Sequence, residues 1–342
     1  MNNEINSKSI AGVKLIVVLG MILYHSGFNK IPGYGAFACV FFYMMSGFTT
    51  AFFRIDEWEL SQTSIINYYK KKIDGICWIY YFTFFLMIPF TIKEIDSLDH
   101  LKEAICDGVM HLLFIQCWFP NITFKYNAVA WFSSALLFCY IFTPIMIVVI
   151  RRTKKWAIQV LLFTVVIHFF LEYCLINYPD VFEFSIHTNP FIKCSEYFMG
   201  MLLAIIYKNR SMIVKNVVFS SMIEVFSLCV LGGAIYLFTI IAYKSVVIIP
   251  MLIFVFCFSY GKGIVSKLFS FDFINLTKLQ SEIYLVHYPV IIYFGYIIRR
   301  IGTGGKLFKL LDALLYVIIT ILVAYVVHYC LKMLRQKQGN RY

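Results

Sequence analysis

The 342-residue chain is 61% hydrophobic and 14% charged, whereas a soluble globular domain is roughly half apolar and a quarter charged. That balance excludes a single water-facing core. A net charge of +12 would suit a nucleic-acid binder, but the basic residues lie in short clusters between apolar runs, as membrane topology produces. The ten cysteines stand singly with no CxxC pair, as apolar filling of helices does. Cys106 and Cys117 could both lie outside the membrane, where a disulfide between them is conceivable but not expected.

Apolar runs of about 18 or more residues read as membrane helices. They fall near residues 10–29, 36–53, 73–92, 126–150, 156–177, 189–207, 217–239, 243–260, 279–298 and 308–331. The expected fold is therefore an all-α, polytopic membrane helix bundle of about ten transmembrane helices in a single membrane-embedded domain, residues 1–342. The first run has no small-residue cleavage site after it and reads as a retained span rather than a signal peptide. Residues 109–119 are apolar but too few to cross, which suits a re-entrant or interfacial segment.

With the N-terminus inside, 20 of the 30 Lys and Arg residues fall in cytoplasmic loops or span ends, Arg210, Lys215 and Arg341 among them. Acidic residues such as Asp107, Asp180 and Glu183 lie outside. Both termini are expected in the cytoplasm. Arg299, Arg300, Lys306 and Lys309 run against the pattern, because they flank an outer loop.

Polar side chains inside spans are costly and mark candidate sites. The first span holds Lys14 and, eleven residues on, His25. At 1.5 Å per residue they stand about 16 Å apart on one helix face, a spacing that suits a long ligand with phosphates at the Lys and its far end at the His. A snorkelling Lys and a hydrogen-bonded interhelical His are the plain alternative. Ser46-Gly47 closes the second span and reads equally as a small-residue helix contact. The fourth opens on Trp131 and continues through Tyr140 to Pro144; the sixth has Glu196; Glu172 and Glu224 sit in the fifth and seventh. The ninth carries Glu282, Tyr284 and His287, whose acid and imidazole do not share a helix face well. No metal-ligand spacing and no GxSxG, HExxH or P-loop pattern occurs.

These residues resemble the acyltransferase-3 family of membrane O-acyltransferases. The run from Ile10 to Lys14 followed by His25 is similar to its first helix, a basic residue eleven positions ahead of a His. Phe41 to Phe48 resembles its FFxxSGF stretch. Lys70, Lys71 and Lys72 ahead of Ile79-Tyr80-Tyr81 resemble its basic run before an aromatic third helix. Ala130-Trp131-Phe132 with Tyr140 and Pro144, and Ile283 to His287, resemble two later elements. All five occur in the family's order, from about residue 8 to 331. Lys14 stands where the family often has Arg, Ile10 where it has a second Arg, and Leu136 where many members have an acid. The last departure places the chain nearer the branch that acts on bacterial surface glycans.

The resemblance implies transfer of an acyl group, commonly acetyl, from cytoplasmic acyl-CoA to a hydroxyl of a bacterial cell-surface or lipid-linked polysaccharide, at the bacterial inner or plasma membrane. His25 would be the catalytic residue. Lys14, Lys70, Lys71 and Lys72 would meet the CoA phosphates. Ser46, Trp131 and Tyr140 would shape the acyl tunnel, and Glu196, Glu282, Tyr284 and His287 belong to the acceptor and tunnel set. No tightly bound cofactor and no metal is implied; the partners are acyl-CoA, the envelope glycan acceptor and the bilayer. A glycan flippase or exporter is the alternative, although no inverted repeat with broken helices is visible.

Overall fold

The computed structural model describes residues 7–28, 30–178, 185–209, 216–241, 243–270, 273–301 and 306–339. Asp180, Glu183, Arg210, Lys215 and Arg341, used above for orientation, lie outside them. Among the described residues there is no strand. The helices are α1 (Ser7–His25), α2 (Tyr34–Arg54), α3 (Gln62–Lys93), α4 (Leu98–Leu112), α5 (Trp131–Thr153), α6 (Ala157–Asn177), α7 (Pro190–Asn209), α8 (Val217–Ile241), α9 (Ile248–Tyr260), α10 (Ile264–Phe269), α11 (Gln280–Ile301) and α12 (Lys306–Gly339).

Seven stretches among the described residues are long and apolar enough to cross a membrane. The protein is a polytopic helical membrane protein. The seven differ from the ten sequence segments for three reasons. Trp131–Asn177 is one apolar stretch that contains both α5 and α6, joined by a 3-10 turn at Lys154–Trp156. The apolar helix Ser245–Tyr260 is short, and α11, which opens on Gln280, Ser281 and Glu282, is described in full only as far as residue 297.

The chain groups into two compact units. The first comprises Met1–Lys14, Pro32–Lys71 and Ala135–Phe273. Two of its helices, α6 and α8, are built inside out relative to a soluble protein. Phe163, Val166 and Phe170 of α6 are exposed at helical spacing, while Thr164, His168, Glu172 and Leu175 are buried. Helix α8 does the same, exposing Val218, Met222 and Phe226 and burying Ser220, Glu224 and Ser227. Lipid is as apolar as a leucine side chain, so helices there associate through close packing and polar contacts rather than hydrophobic burial. The packing between α2 and α7 depends on a reciprocal glycine pair. A Cβ on Gly47 would lie 1.9 Å from the Tyr197 carbonyl oxygen, and one on Gly200 1.9 Å from that of Met44.

The two buried acids Glu172 and Glu224 serve backbone rather than ligand. Glu224 accepts the amides of Gly263 (2.8 Å) and Ser266 (3.1 Å) at the start of α10. Glu172 accepts the Ser245 amide at 2.8 Å, where a 3-10 turn leads into α9. Helix starts leave amides without intrahelical partners, and in a membrane-embedded fold those amides need an internal acceptor.

The second unit comprises Leu15–Ile31, Lys72–Ser134 and Ile274–Tyr342. Helices α11 and α12 form an antiparallel pair in which Glu282 meets His328 and a Cβ on Gly295 would lie 3.3 Å from the Tyr316 hydroxyl. At the end of α3, Lys93 lies over the Tyr296 ring at 5.4 Å, and Tyr293 donates to the Leu86 carbonyl at 2.7 Å. Helix α11 runs five residues past Tyr296 to Ile301, so Arg299 and Arg300 lie past the point where α3 stops.

Between α4 and α5 the backbone is irregular yet largely buried. Gln116, Thr123 and Asn127 are buried. Gln116 donates to the Tyr80 hydroxyl (2.8 Å), which donates to the His111 carbonyl (2.8 Å); Thr123 donates to the Gln116 carbonyl (3.1 Å). Non-helical backbone survives at such a place only when protein supplies its partners. The apolar segment 109–119 thus forms the end of α4 and the first part of this loop. Phe114 and Tyr126 bracket the loop with φ of 57° and 56°, a left-handed conformation that costs about 1–2 kcal/mol per residue.

Two tests follow from this packing. Gly200→Ala forces α2 and α7 apart and should lower stability by about 1–3 kcal/mol, read as a fall in melting temperature of the detergent-solubilised protein; an unchanged melt would refute the close approach. In α4, burial pushes the His111 imidazole below its ordinary pKa, with the Asp107 backbone partly opposing. The unfolded imidazole titrates near about 6.5, so stability is whole above that pH and declines as pH falls below it. Melting at pH 5.5 should be lower than at pH 7.5, and His111→Gln should shrink that difference.

Candidate active site

The second unit brings two of the sequence-marked histidines together. Helix α1 ends at His25 because Gly27 takes φ of 78°. The Phe28 amide then donates to the Leu23 carbonyl (3.0 Å) and that of Gly27 to Tyr24 (3.1 Å), the Schellman pattern for which glycine is best suited. His25 is therefore held on the final turn, partly exposed. Its Nδ1 lies 2.8 Å from Nε2 of His287 on α11, the two rings 19° from coplanar. His287 is fully buried, and its Nδ1 bonds the carbonyl of Tyr284 at 2.5 Å.

This chain of contacts fixes the tautomers. A carbonyl oxygen only accepts, so Nδ1 of His287 carries hydrogen. A neutral imidazole has a single N–H, so Nε2 of His287 accepts and Nδ1 of His25 donates. Nε2 of His25 is left with its lone pair, on the ring of the two that is open to solvent or ligand. Spacing within α11 could not have shown this, because the partner of His287 is 262 residues away in sequence.

The helix around His287 has its own support. Pro289 lies inside α11 and has no amide, so the carbonyl four residues before it, that of Leu285, loses its helical partner. Asn127 replaces it, donating from Nδ2 to the Leu285 carbonyl at 2.9 Å. Asn127 is buried and also accepts the Val129 amide at 3.4 Å. Beside it, the Tyr284 hydroxyl donates to the Val129 carbonyl at 3.2 Å, and the Tyr284 ring packs on Phe132 at 5.1 Å. Asn127 carries no motif signal; only the position of Pro289 four residues after a carbonyl hinted that a donor was required.

Other marked residues fall elsewhere. Trp131, first in α5, is buried with its ring 6.2 Å from Phe132. Glu282 pairs with His328 at 2.8 Å and accepts from Ser281 at 2.9 Å. That acid–imidazole pair has its own partners and is not joined to His25. In the first unit, Ser46 and Tyr140 share a side-chain hydrogen bond, and the Tyr140 ring stands 6.0 Å from Tyr197. Glu196 binds Lys193 at 2.6 Å, both nearly inaccessible, with Lys193 over the Tyr43 ring at 5.7 Å. Lys193 was visible in the sequence only as an opposite charge three residues away in the same apolar span. Next to it, His168 donates from Nδ1 to Ser195 at 2.7 Å, and Ser195 donates to the Ile192 carbonyl at 2.7 Å.

Lys14 belongs to the first unit. It is partly buried and has no hydrogen-bond or ion-pair partner among the described residues. Lys70 and Lys71 are exposed on α3, and Lys72 is partly so. Cys106 is exposed and Cys117 buried, and both are free thiols. No cluster of three metal-ligating side chains occurs among the described residues.

Among known proteins, the family model of acyltransferase 3, described as an acyltransferase domain, matches residues 7–329. No curated protein matches the chain. No solved structure matches it.

Asn127→Ala should leave the Leu285 carbonyl without a donor and cost about 1–3 kcal/mol in thermal or denaturant unfolding. Adding Pro289→Ala restores an amide four residues after Leu285, so the double variant should recover part of the loss. Strictly additive losses would refute the compensation.

Proposed function

The chain belongs to the acyltransferase-3 family and is a membrane O-acyltransferase, and on that premise we propose that His25 is the general base for acyl transfer from a cytoplasmic acyl-CoA to a glycan hydroxyl. The observation that carries this reading is the 2.8 Å bond from Nδ1 of His25 to Nε2 of His287, because it leaves Nε2 of His25 basic. General-base work requires an accessible lone pair on a group held in one orientation.

In the proposed reaction, Nε2 of His25 takes the proton of the acceptor hydroxyl as its oxygen attacks the thioester carbonyl. The positive charge that develops on His25 is stabilised by the lone pair of His287, which keeps its own Nδ1–H on the Tyr284 carbonyl. That carbonyl cannot take a proton, so the two imidazoles hold one extra proton between them and pass none further. Collapse of the tetrahedral intermediate breaks the C–S bond, and Nε2–H of His25 returns the proton to the leaving thiolate. Histidine suits both steps because an unperturbed imidazole exchanges its proton near neutral pH.

Lys14, partly buried without an anionic partner, is proposed to meet donor phosphates, with Lys70, Lys71 and Lys72 as further cations. A buried ammonium is costly unless paired, and a bound anion supplies that pair. Ser46, Tyr140 and Trp131 are proposed to shape the acyl channel, with Tyr284, Glu282 and Glu196 contributing to acceptor binding. The acyl group is proposed to be acetyl, the acceptor a bacterial surface or lipid-linked polysaccharide, and the location the bacterial inner or plasma membrane.

His25→Ala should reduce acyl transfer by roughly 10²–10⁴-fold while membrane insertion is retained, measured as acyl groups on the envelope glycan by mass spectrometry. His287→Gln keeps an acceptor oxygen toward His25 and should lose less than His287→Leu. Wild-type acylation in His25→Ala would sink the assignment.

A further inference from the structure

The end of α2 that the basic loops assign to the cytoplasm gathers four cations within the first unit. Three are already engaged. Arg151 donates from Nε to the Ile55 carbonyl (2.7 Å) and from Nη2 to that of Trp58 (2.6 Å), closing the turn after α2. Lys154 and Lys208 take the two oxygens of Asp56 at 3.3 and 2.7 Å. The fourth, Arg54, is half-buried and has no hydrogen-bond acceptor or carboxylate partner among the described residues.

Arg54 is nonetheless held in place. Its guanidinium carbon lies 5.3 Å from the Trp58 ring and 5.1 Å from the Tyr68 ring. Trp58 is anchored by its indole N–H on Ser64 Oγ at 2.6 Å, and its ring leans on Tyr68 at 4.8 Å. With the two rings only 4.8 Å apart, both flank the guanidinium from one side and attract it through their faces. They leave the in-plane N–H groups, five donors in a rigid fork that matches phosphate, without an acceptor. The shelf also leads inward: Tyr68 stands 6.3 Å from the Tyr140 ring, and Tyr140 is bonded to Ser46. Arg54 is thus linked through one phenol to the residues proposed to line the acyl channel.

We propose that Arg54 is a phosphate-binding residue of the donor site, pre-oriented by Trp58 and Tyr68. The inference rests on the reading that the donor is an acyl-CoA. A phosphate could equally come from the headgroup of a membrane phospholipid, and the test separates the two sources. It also separates failure of this inference from failure of the donor reading.

The experiment uses the purified full chain in phosphatidylcholine nanodiscs with two donors: acetyl-CoA, and S-acetylpantetheine, which has no phosphate. Arg54→Ala should raise KM for acetyl-CoA roughly ten- to hundred-fold, the worth of a charged hydrogen bond, with kcat little changed and KM for S-acetylpantetheine unaltered. Arg54→Lys should recover part of the loss, since a point charge without the fork remains. Arg54→Gln, which keeps N–H donors and packing volume without charge, guards against misfolding. Equal losses with both donors would overturn the proposal and make Arg54 structural. A defect that appears only when phosphatidylglycerol is present would overturn it in favour of a lipid headgroup. An unchanged KM for acetyl-CoA in Arg54→Ala would overturn it while leaving the donor reading intact. A wild-type protein indifferent to CoA thioesters would overturn both.

Discussion

In hydrocarbon no water is present to partner a polar atom, so each polar atom buried in this protein needs a partner made of protein, and that constraint organises both units. Glu172 and Glu224 are buried carboxylates that accept amides at the starts of later helical segments. Lys193 and Glu196 neutralise each other on one helix. The irregular loop between α4 and α5 is stable because Tyr80, Gln116, Thr123 and Asn127 close its hydrogen bonds internally. Helices α6 and α8 accordingly turn apolar stripes outward and polar ones inward.

The same constraint produces the geometry of the histidine pair. Pro289 removes one amide from α11, and Asn127 supplies a replacement donor to the stranded Leu285 carbonyl. Two residues before the proline, His287 is held by the Tyr284 carbonyl on one nitrogen and by His25 on the other. Support of this kind matters because a base must present one nitrogen in one tautomer. Lys14 and Arg54 break the rule, since neither has an anionic partner among the described residues. A half-buried cation with no anionic partner among the described residues is the feature that a phosphorylated donor would complete.

Much of the architecture was legible from residue order. Apolar runs interrupted by basic clusters identify a polytopic membrane protein, since run length and charge position are local properties. His25 was legible because a polar residue in an apolar span is conspicuous, and the family's five motifs are short stretches of sequence. Other features were not. Spacing within α11 put Glu282 and His287 on different faces and offered no partner for either, whereas their partners, His328 and His25, lie 46 and 262 residues away. The count of spans was blurred where α5 and α6 form one apolar stretch and where α11 carries polar residues.

From the sequence alone came the membrane class, the family resemblance and the two polar residues of the first helix. These depend on composition and short-range pattern, which any fold of the chain retains. Only the tertiary structure decided that His25 pairs with His287, that Glu172 and Glu224 cap helical segments, and that Arg151, Lys154 and Lys208 are held by oxygen acceptors while Arg54 rests on two aromatic rings. Such distinctions depend on which distant side chain occupies the remaining hydrogen-bond position of each group, and chain folding alone sets that.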